Sequence, residues 1–356
     1  KFFNCIKSLR QPKTVGVTGT VGKTTTMNMI RAIIPDDYDP FLSTGNMNSF
    51  YAVSKNITNN IKKDTKVYIQ EVGANNINSV RKSASMLRVD AFILLNVLNH
   101  HSNKYGSVEA IFNDKVSFED YMASDDGVAI VNYDDERIAA HAFKCGVVSF
   151  GINTEKEVTY RAVNIKQNRD LLEFDVIYGE KKIPIKIHIL GEQNVYNALA
   201  AFALCMWLGI DENTIIKGFY SYQSDGIRQN YKNIGKYEVL MDSYNCSEDS
   251  LIATLKSAQK YEVSSGSRKI AVISGENRLS EETYEQETFE LGKKLDTSGI
   301  DYVICIGPDG SDFQDVFTNG CGRALYEGVL STGRENVLYV KDAKELEKEL
   351  SAIISL

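Results

Sequence analysis

The sequence predicts an α/β protein in two parts. Residues 1–223 read as an α/β domain built on a phosphate-cradling loop and carrying a small antiparallel sheet. Residues 224–356 read as a Rossmann-like domain. Three observations lead there. A β-branched run, Thr14 to Val17, passes through a glycine-containing turn into a helix-compatible run, Thr25 to Ile34. A cluster of short alternating segments occupies Glu157 to Leu190. From Tyr237 onward, strand-like and helix-like runs alternate again.

The first observation is the most informative. In Gly16-Val17-Thr18-Gly19-Thr20-Val21-Gly22-Lys23-Thr24-Thr25-Thr26, Gly19 and Gly22 let the backbone approach an anion without a Cβ in the way. The amides at the helix start point toward that anion. Lys23 is expected to neutralise β/γ-phosphates, with the Thr24 hydroxyl facing a Mg²⁺. The nucleotide-binding stretch is therefore Gly19, Thr20, Val21, Gly22, Lys23, Thr24 and Thr25. The general phosphate-loop pattern wants glycine where Val17 stands.

Bulk properties narrow the class. A chain of 356 residues fits about two domains at ~150 residues each. A hydrophobic content of 43% and a charged content of 24% fit a globular protein. The net charge of −7 argues against a broad nucleic-acid-binding surface. No apolar run approaches the ~20 residues needed to span a bilayer. Lys1 to Gln11 does not read as a signal peptide. Cys5, Cys145, Cys205, Cys246, Cys305 and Cys321 lie far apart with no C-x-x-C pair, which suits reduced thiols in a cytoplasm better than a zinc ribbon. The chain opens on Lys1 rather than methionine, so an upstream domain or a partner subunit is expected to complete it.

Taken in order, Ser43-Thr44-Gly45-Asn46-Met47-Asn48 is a polar loop, and Lys66 to Val72 is a buried strand ending in Glu71. A carboxylate at a strand end beside a phosphate loop is placed to hold Mg²⁺; the alternative is a solvated strand-end glutamate. Asp90 to Val97 is a strongly apolar strand that runs into His100 and His101. Ser107 then reads as a helix N-cap. On that helix Lys115 follows Ile111 by four and Phe112 by three, so it either points inward or snorkels to the surface. Gly127 to Asn132 and Val147 to Phe150 are further strands. Ala198 to Leu208 is a long apolar helix, with Asn194 and Asn197 on one face near its start and Gly209 as its C-cap. A shorter helix lies near Asn213 to Tyr220, and the polar stretch Gln223 to Arg228 marks the boundary. Beyond it, strands are expected at Tyr237–Met241, Lys269–Ile273, Tyr302–Ile306 and Val337–Val340. Helices are expected at Ser247–Lys260, Tyr284–Leu295 and Ala343–Ile353. Together they would form a parallel sheet.

Several of these motifs together resemble the Mur ligases. The loop Thr18 to Thr26 is similar to that family's phosphate loop, including the missing first glycine. Asn96-Val97, His101, Tyr105-Gly106-Ser107, Glu109, Ile111 and Lys115 match its central motif in order and spacing. Gln193 to Ala201 matches its His-Asn-x-x-Asn-Ala-x-Ala-Ala motif, with Gln193 in place of histidine. Asp242-Ser243-Tyr244-Asn245 is similar to the motif of the branch that adds D-alanyl-D-alanine to the muramoyl tripeptide. The resemblance spans nearly the whole chain.

It implies a P-loop ATPase-like central domain and a C-terminal Rossmann-like domain. It also implies an ATP-dependent ligase that joins a carboxylate and an amine through an acyl phosphate and releases ADP and phosphate, with peptidoglycan precursors as the expected substrates. Thr24 and Glu71 would hold one Mg²⁺, and His101 would help hold a second. Lys115 would carry a CO₂-derived carbamate as a further metal ligand. Asn194 and Asn197 would face the adenine, while Arg228 and Asp242 would reach phosphates and ribose. Lys23, Lys115 and His101 are the catalytic candidates.

Some residues depart from the family pattern. Ile227 precedes the arginine where glycine is usual, Cys246-Ser247-Glu248 follows Asp-Ser-Tyr-Asn, and Ser274 to Arg278 replaces a glycine-rich loop. The chemistry therefore carries over better than the substrate. A polyamide or poly-γ-glutamate type ligase and a non-catalytic nucleotide-binding subunit are the alternatives.

Overall fold

A computed structural model describes residues 12–44, 47–98, 105–224, 230–242, 248–274, 284–307 and 322–355. The chain divides into two compact units, Lys1–Gln223 and Ser224–Leu356.

The first unit runs β1 (Lys13–Thr18), α1 (Lys23–Ile33), β2 (Pro40–Leu42), α2 (Phe50–Asn59), β3 (Val67–Glu71), α3 (Ser79–Leu87), β4 (Ala91–Leu94) and α4 (Val108–Val116). It continues with β5 (Val128–Asn132), α5 (Glu136–Ala140), β6 (Gly146–Gly151), β7 (Tyr160–Asn168), β8 (Leu171–Tyr178), β9 (Lys181–His188), α6 (Gln193–Trp207) and α7 (Glu212–Ser221). The strands form one sheet in the order β2-β3-β1-β4-β5-β6-β7-β8-β9. Pairing is parallel from β2 to β7 and antiparallel from β7 to β9. The small antiparallel sheet expected over 157–190 is thus an extension of the main sheet, joined where Phe150 pairs with Tyr160 and Gly151 with Arg161.

The central strands are buried on both faces, as a sheet covered by helices on each side requires. Val15, Val17, Ile69 and Ile93 belong to a core shared with Met27, Ile30, Leu199 and Phe202, which places α1 and α6 on one side. Tyr68, Phe92 and Leu94 point the other way, into a core with Val53, Val80, Leu87 and Ile111 of α2, α3 and α4. Gly16 is required by that second face: a Cβ there would come within 2.5 Å of the Phe118 ring. Helix α6 is apolar around almost its whole circumference and buried from Asn194 to Cys205, bar Tyr196. It starts at Gln193, five residues before the expected apolar run, so Asn194 and Asn197 lie within its first turns. Gly209 follows its end with φ of +84°, a left-handed exit that glycine adopts without strain.

The second unit contains β10 (Asn230–Ile234), β11 (Tyr237–Met241), α8 (Glu248–Lys260), β12 (Ile270–Ser274), α9 (Tyr284–Lys294), β13 (Tyr302–Ile306), α10 (Gly322–Leu330), β14 (Val337–Val340) and α11 (Ala343–Ser355). Strands β12, β13 and β14 form the expected parallel sheet. Strand β11 differs from expectation, because it pairs antiparallel with β10. A tight turn at Gly235-Lys236, with Gly235 at φ of +61°, closes this hairpin. Asn230-Tyr-Lys-Asn-Ile234 carries little apolar signal of its own, so periodicity does not reveal the hairpin. Among the described residues, no helix is long and apolar enough to cross a membrane.

Candidate functional site

Parallel register brings three strand ends together. Val17 pairs with Glu71 across β1 and β3, and Thr18 pairs with Leu94 across β1 and β4. The order β2-β3-β1-β4 puts β1 where successive connections diverge, which in open α/β sheets leaves a crevice at the carboxyl ends. The Gly19–Gly22 loop, Glu71 and Asn96 all emerge there.

The loop is folded as a phosphate cradle would be. Gly22 precedes α1 with φ of +87°, so α1 begins directly at Lys23. The Lys23 ammonium donates to the carbonyls of Gly19 and Thr20, each at 2.9 Å, which curls the loop around its own lysine. The Thr24 hydroxyl donates to Glu71 Oε2 at 2.8 Å. The other Glu71 oxygen accepts from Asn48 Nδ2 at 3.0 Å. The Glu71 backbone amide donates to Ser43 Oγ at 2.9 Å, and the Ser43 carbonyl accepts from Arg31 of α1 at 3.1 Å. Glu71 is only 3% exposed, so the solvated strand-end alternative does not hold.

Lys115 is buried, with 1% exposure, and does not snorkel. Burial pushes its pKa well below the ordinary lysine value, the positive charge of Lys23 adds to that shift, and Asp114 opposes it. The mutual repulsion with Lys23 places Lys115 within electrostatic reach of the loop. A carboxylate network fixes the helix that carries it. Asp114 accepts from the backbone amides of Val80 and Arg81, at 3.2 and 2.9 Å, and from the Tyr105 hydroxyl at 2.6 Å. The Tyr105 hydroxyl oxygen also lies 2.5 Å from the Asn76 carbonyl, sharing its one proton between the two acceptors, and Ser79 donates to the Gly73 carbonyl. Helix α4 is thereby tied to the turn that follows Glu71.

Asn194 and Asn197 are both buried, and they lean on the phosphate loop. Asn197 Nδ2 donates to Asn194 Oδ1 at 2.8 Å, and Asn194 Nδ2 donates to the Leu190 carbonyl at 2.7 Å. Asn197 Oδ1 accepts from the Thr26 hydroxyl at 3.4 Å. It lies 2.1 Å from where a Gly22 Cβ would be. Gly22→Ala therefore has to displace Asn197 and hold a left-handed backbone. We expect it to lower stability by about 2 kcal/mol and to weaken nucleotide binding at least tenfold, read by denaturant midpoint and calorimetric titration. Unchanged binding would show that the loop tolerates a shifted Asn197.

Asp242 lies in the second unit just after β11, where it accepts from the Ser250 and Thr254 hydroxyls of α8. His101 and Arg228 lie outside the described residues. Sequence reasoning passed over Asn48, inside a polar loop, and treated Asn96 only as part of a motif. Each is a single amide reaching across from a neighbouring loop, and no spacing rule marks that.

A metal at this place would meet hard oxygen donors. Among the described residues no three His, Cys, Asp or Glu side chains cluster as a preformed cage. The Thr24–Glu71 pair offers one hydroxyl and one carboxylate, which suits Mg²⁺ shared with phosphate oxygens.

A phosphate loop and a strand-end carboxylate at the switch point of a parallel sheet define a nucleotide-binding α/β unit. The family model for the Mur ligase middle domain matches residues 17–205. The chain belongs to the Mur ligase family. It is 26% identical over 337 residues to the UDP-N-acetylmuramoyl-tripeptide–D-alanyl-D-alanine ligase of Bacillus subtilis, covering 94% of this chain and 69% of that one. It is 30% identical over 255 residues to the UDP-N-acetylmuramate–L-alanine ligase of Caldicellulosiruptor saccharolyticus, covering 69% of this chain and 52% of that one. The chain thus spans between about half and two thirds of these relatives' lengths. The fold is similar to MurF from Acinetobacter baumannii, with a TM-score of 0.84 at 22% identity over 99% of this chain and 72% of that one. It is also similar to the MurF ligase from Thermotoga maritima, solved in complex with ADP, with a TM-score of 0.80 at 18% identity over 99% and 78%.

Proposed function

We propose that this chain is the nucleotide-binding and C-terminal portion of an ATP-dependent carboxylate–amine ligase acting on a cell-wall precursor peptide. The observation that carries the reading is the Thr24–Glu71 contact at the mouth of the phosphate loop, with the buried Lys115 electrostatically coupled to Lys23. Residues 1–223 would act as the Mur-type central domain and residues 224–356 as its C-terminal domain.

The reaction joins two groups that do not combine unaided. The substrate carboxylate attacks the γ-phosphorus of ATP, the bond to the bridging oxygen breaks, and ADP leaves. The resulting acyl phosphate is attacked by the neutral amine. A tetrahedral species collapses with loss of phosphate, and the amine proton passes to a base or to water. The first step brings one anion toward another, so positive charge must offset the repulsion. Lys23 supplies part of that charge once it turns from the loop carbonyls to the β/γ-phosphates. Thr24 and Glu71 would hold Mg²⁺, with His101 toward a second ion. Bound Mg²⁺ neutralises phosphate charge and orients the transferred group. A depressed lysine pKa favours the neutral Lys115 amine, the form that reacts with CO₂ to give a carbamate. We propose that carbamate as a further metal-facing carboxylate. Contacts of Asn194 and Asn197 with adenine, and of Arg228 and Asp242 with phosphates and ribose, rest on the family resemblance alone.

The test is phosphate release from Mg-ATP with candidate muramoyl-peptide carboxylates plus amino acids or dipeptides, with and without bicarbonate. ADP and phosphate formation that requires both substrates supports the reading. Nucleotide binding without turnover in any pairing would turn it toward a non-catalytic subunit.

A further inference from the structure

We propose that Asn96 is the positioning residue of the phosphate loop, and that it divides the loop amides into two sets with different jobs. The inference rests on the nucleotide-binding reading of the same site, and it changes which residues meet the phosphates. Asn96 emerges two residues after β4, beside the loop, and is half-buried. Its Oδ1 accepts from the amides of both Thr20 and Val21, at 2.9 and 3.0 Å. Its Nδ2 donates back to the Val21 carbonyl at 3.1 Å. Its own backbone carbonyl lies 3.1 Å from the Thr20 amide, and the Leu98 amide donates to Thr20 Oγ1 at 3.0 Å. One side chain thus holds both faces of the Thr20-Val21 peptide segment, and the backbone around it repeats the grip.

Thr20 and Val21 sit within the stretch that would be credited with phosphate contacts from sequence alone. In the structure their amides are already engaged, turned toward β4. The amides that open α1 have no acceptor within the helix, as holds for the first turn of any helix. They lie at its positive end, beside the Lys23 ammonium and the Thr24 hydroxyl. The division follows: Asn96 occupies the apex amides and fixes the loop's curvature, and the polyphosphate is met by the amides from Gly22 to Thr25. Asn96 itself then needs no contact with nucleotide. The Val97 amide donates to Asp135 Oδ2 at 2.8 Å, so the clamp is anchored in turn to the end of β5.

Two variants test this. Asn96→Ala removes all the side-chain bonds. Asn96→Asp keeps an acceptor for the Thr20 and Val21 amides, loses the donor to the Val21 carbonyl, and adds a negative charge. The first readout needs no ligand: hydrogen–deuterium exchange at the Thr20 and Val21 amides. We expect exchange about tenfold faster or more in Asn96→Ala and close to wild type in Asn96→Asp. The second readout is calorimetric titration with Mg-ATP, Mg-ADP and adenosine. We expect Asn96→Ala to bind Mg-ATP roughly ten- to a hundredfold more weakly, with adenosine changed by less than about twofold. Asn96→Asp should lose more for Mg-ATP than for Mg-ADP, and added salt should shrink the difference. In wild type, nucleotide should slow exchange at Gly22 to Thr25 and leave Thr20 and Val21 unchanged.

Unaltered exchange at Thr20 and Val21 in Asn96→Ala would overturn the clamp. New protection of those two amides on adding Mg-ATP to wild type would overturn the division. Equal losses for Mg-ATP and adenosine would reduce Asn96 to a general structural role and overturn the inference. Wild type that binds neither nucleotide would overturn the underlying reading, while the exchange result would still judge the clamp by itself.

Discussion

Replacing Lys115 by methionine should abolish ligation and at the same time raise the melting temperature. The two effects have one cause. Lys115 is buried, and burial together with the positive charge of Lys23 disfavours its ammonium, a cost to the fold. Methionine fills nearly the same volume with an unbranched apolar chain. Activity should fall by at least about a thousandfold, the scale seen when a group essential to transition-state charge is removed. In bicarbonate-free buffer near neutral pH the variant should melt roughly 2–4 °C higher, the shift that ~1 kcal/mol produces in a unit of this size.

The pH dependence has a definite sign. Unfolded, Lys115 holds its proton up to the ordinary lysine range near ~10.4. Folded, it releases the proton at a lower pH. Between those two values the unfolded chain binds more protons, so this group makes wild-type stability rise with pH. The penalty is complete below the folded pKa and vanishes as pH approaches the ordinary lysine range. The variant's advantage should therefore grow as pH falls from the ordinary lysine range toward the folded pKa, and should fade in alkali. A variant that melts lower than wild type at neutral pH, with the same pH slope, would show that the ammonium is accommodated in the fold.

Glu71→Gln should cost at least about a hundredfold in turnover and raise the Mg²⁺ concentration needed for half-maximal rate, with little change in melting temperature. The replacement is nearly isosteric, and glutamine can still accept from the Thr24 hydroxyl through its amide oxygen, while its NH2 then meets Asn48, whose amide has to turn to present its oxygen. It removes the anionic donor that a magnesium ion prefers. Asn48 acts on the opposite oxygen and holds the carboxylate plane, so Asn48→Ala should show a milder version of the same Mg²⁺ shift. A Mg²⁺ titration of ADP and phosphate formation separates the cases. An unchanged Mg²⁺ requirement in Glu71→Gln would remove Glu71 from the metal site.

Much of this architecture is written locally in the chain. The Thr14–Val17 run, the Gly19–Gly22 turn and the helix after Lys23 are specified by neighbours in sequence, as are β13 and β14, whose bounds coincide with their apolar runs. The crossover order β2-β3-β1-β4 is different. It depends on which strands bury each other's faces, and no window of a dozen residues holds that information. The same holds for the site's supporting amides. Asn96 reaches a loop 75 residues earlier and Asn48 reaches Glu71 over 23 residues, so neither leaves a spacing signature. Lys115 is ambiguous in sequence because its apolar neighbours at i−3 and i−4 fit both a buried and a snorkelling side chain, and only tertiary packing buries it. The hairpin at 230–241 was missed because register and a glycine turn carry it, with almost no apolar alternation in its first strand.

The seat of Gly22 against Asn197 sets a schedule for synthesis. Thr26 and Asn197 are 171 positions apart, so the loop near the start of the chain leans on a helix that leaves the ribosome much later. Nascent chains halted before α6 would display the glycine turn and its lysine and still lack the asparagine that packs on Gly22. Competence for nucleotide should therefore switch on abruptly as α6 docks, and cleavage between β9 and α6 should silence the loop at a distance.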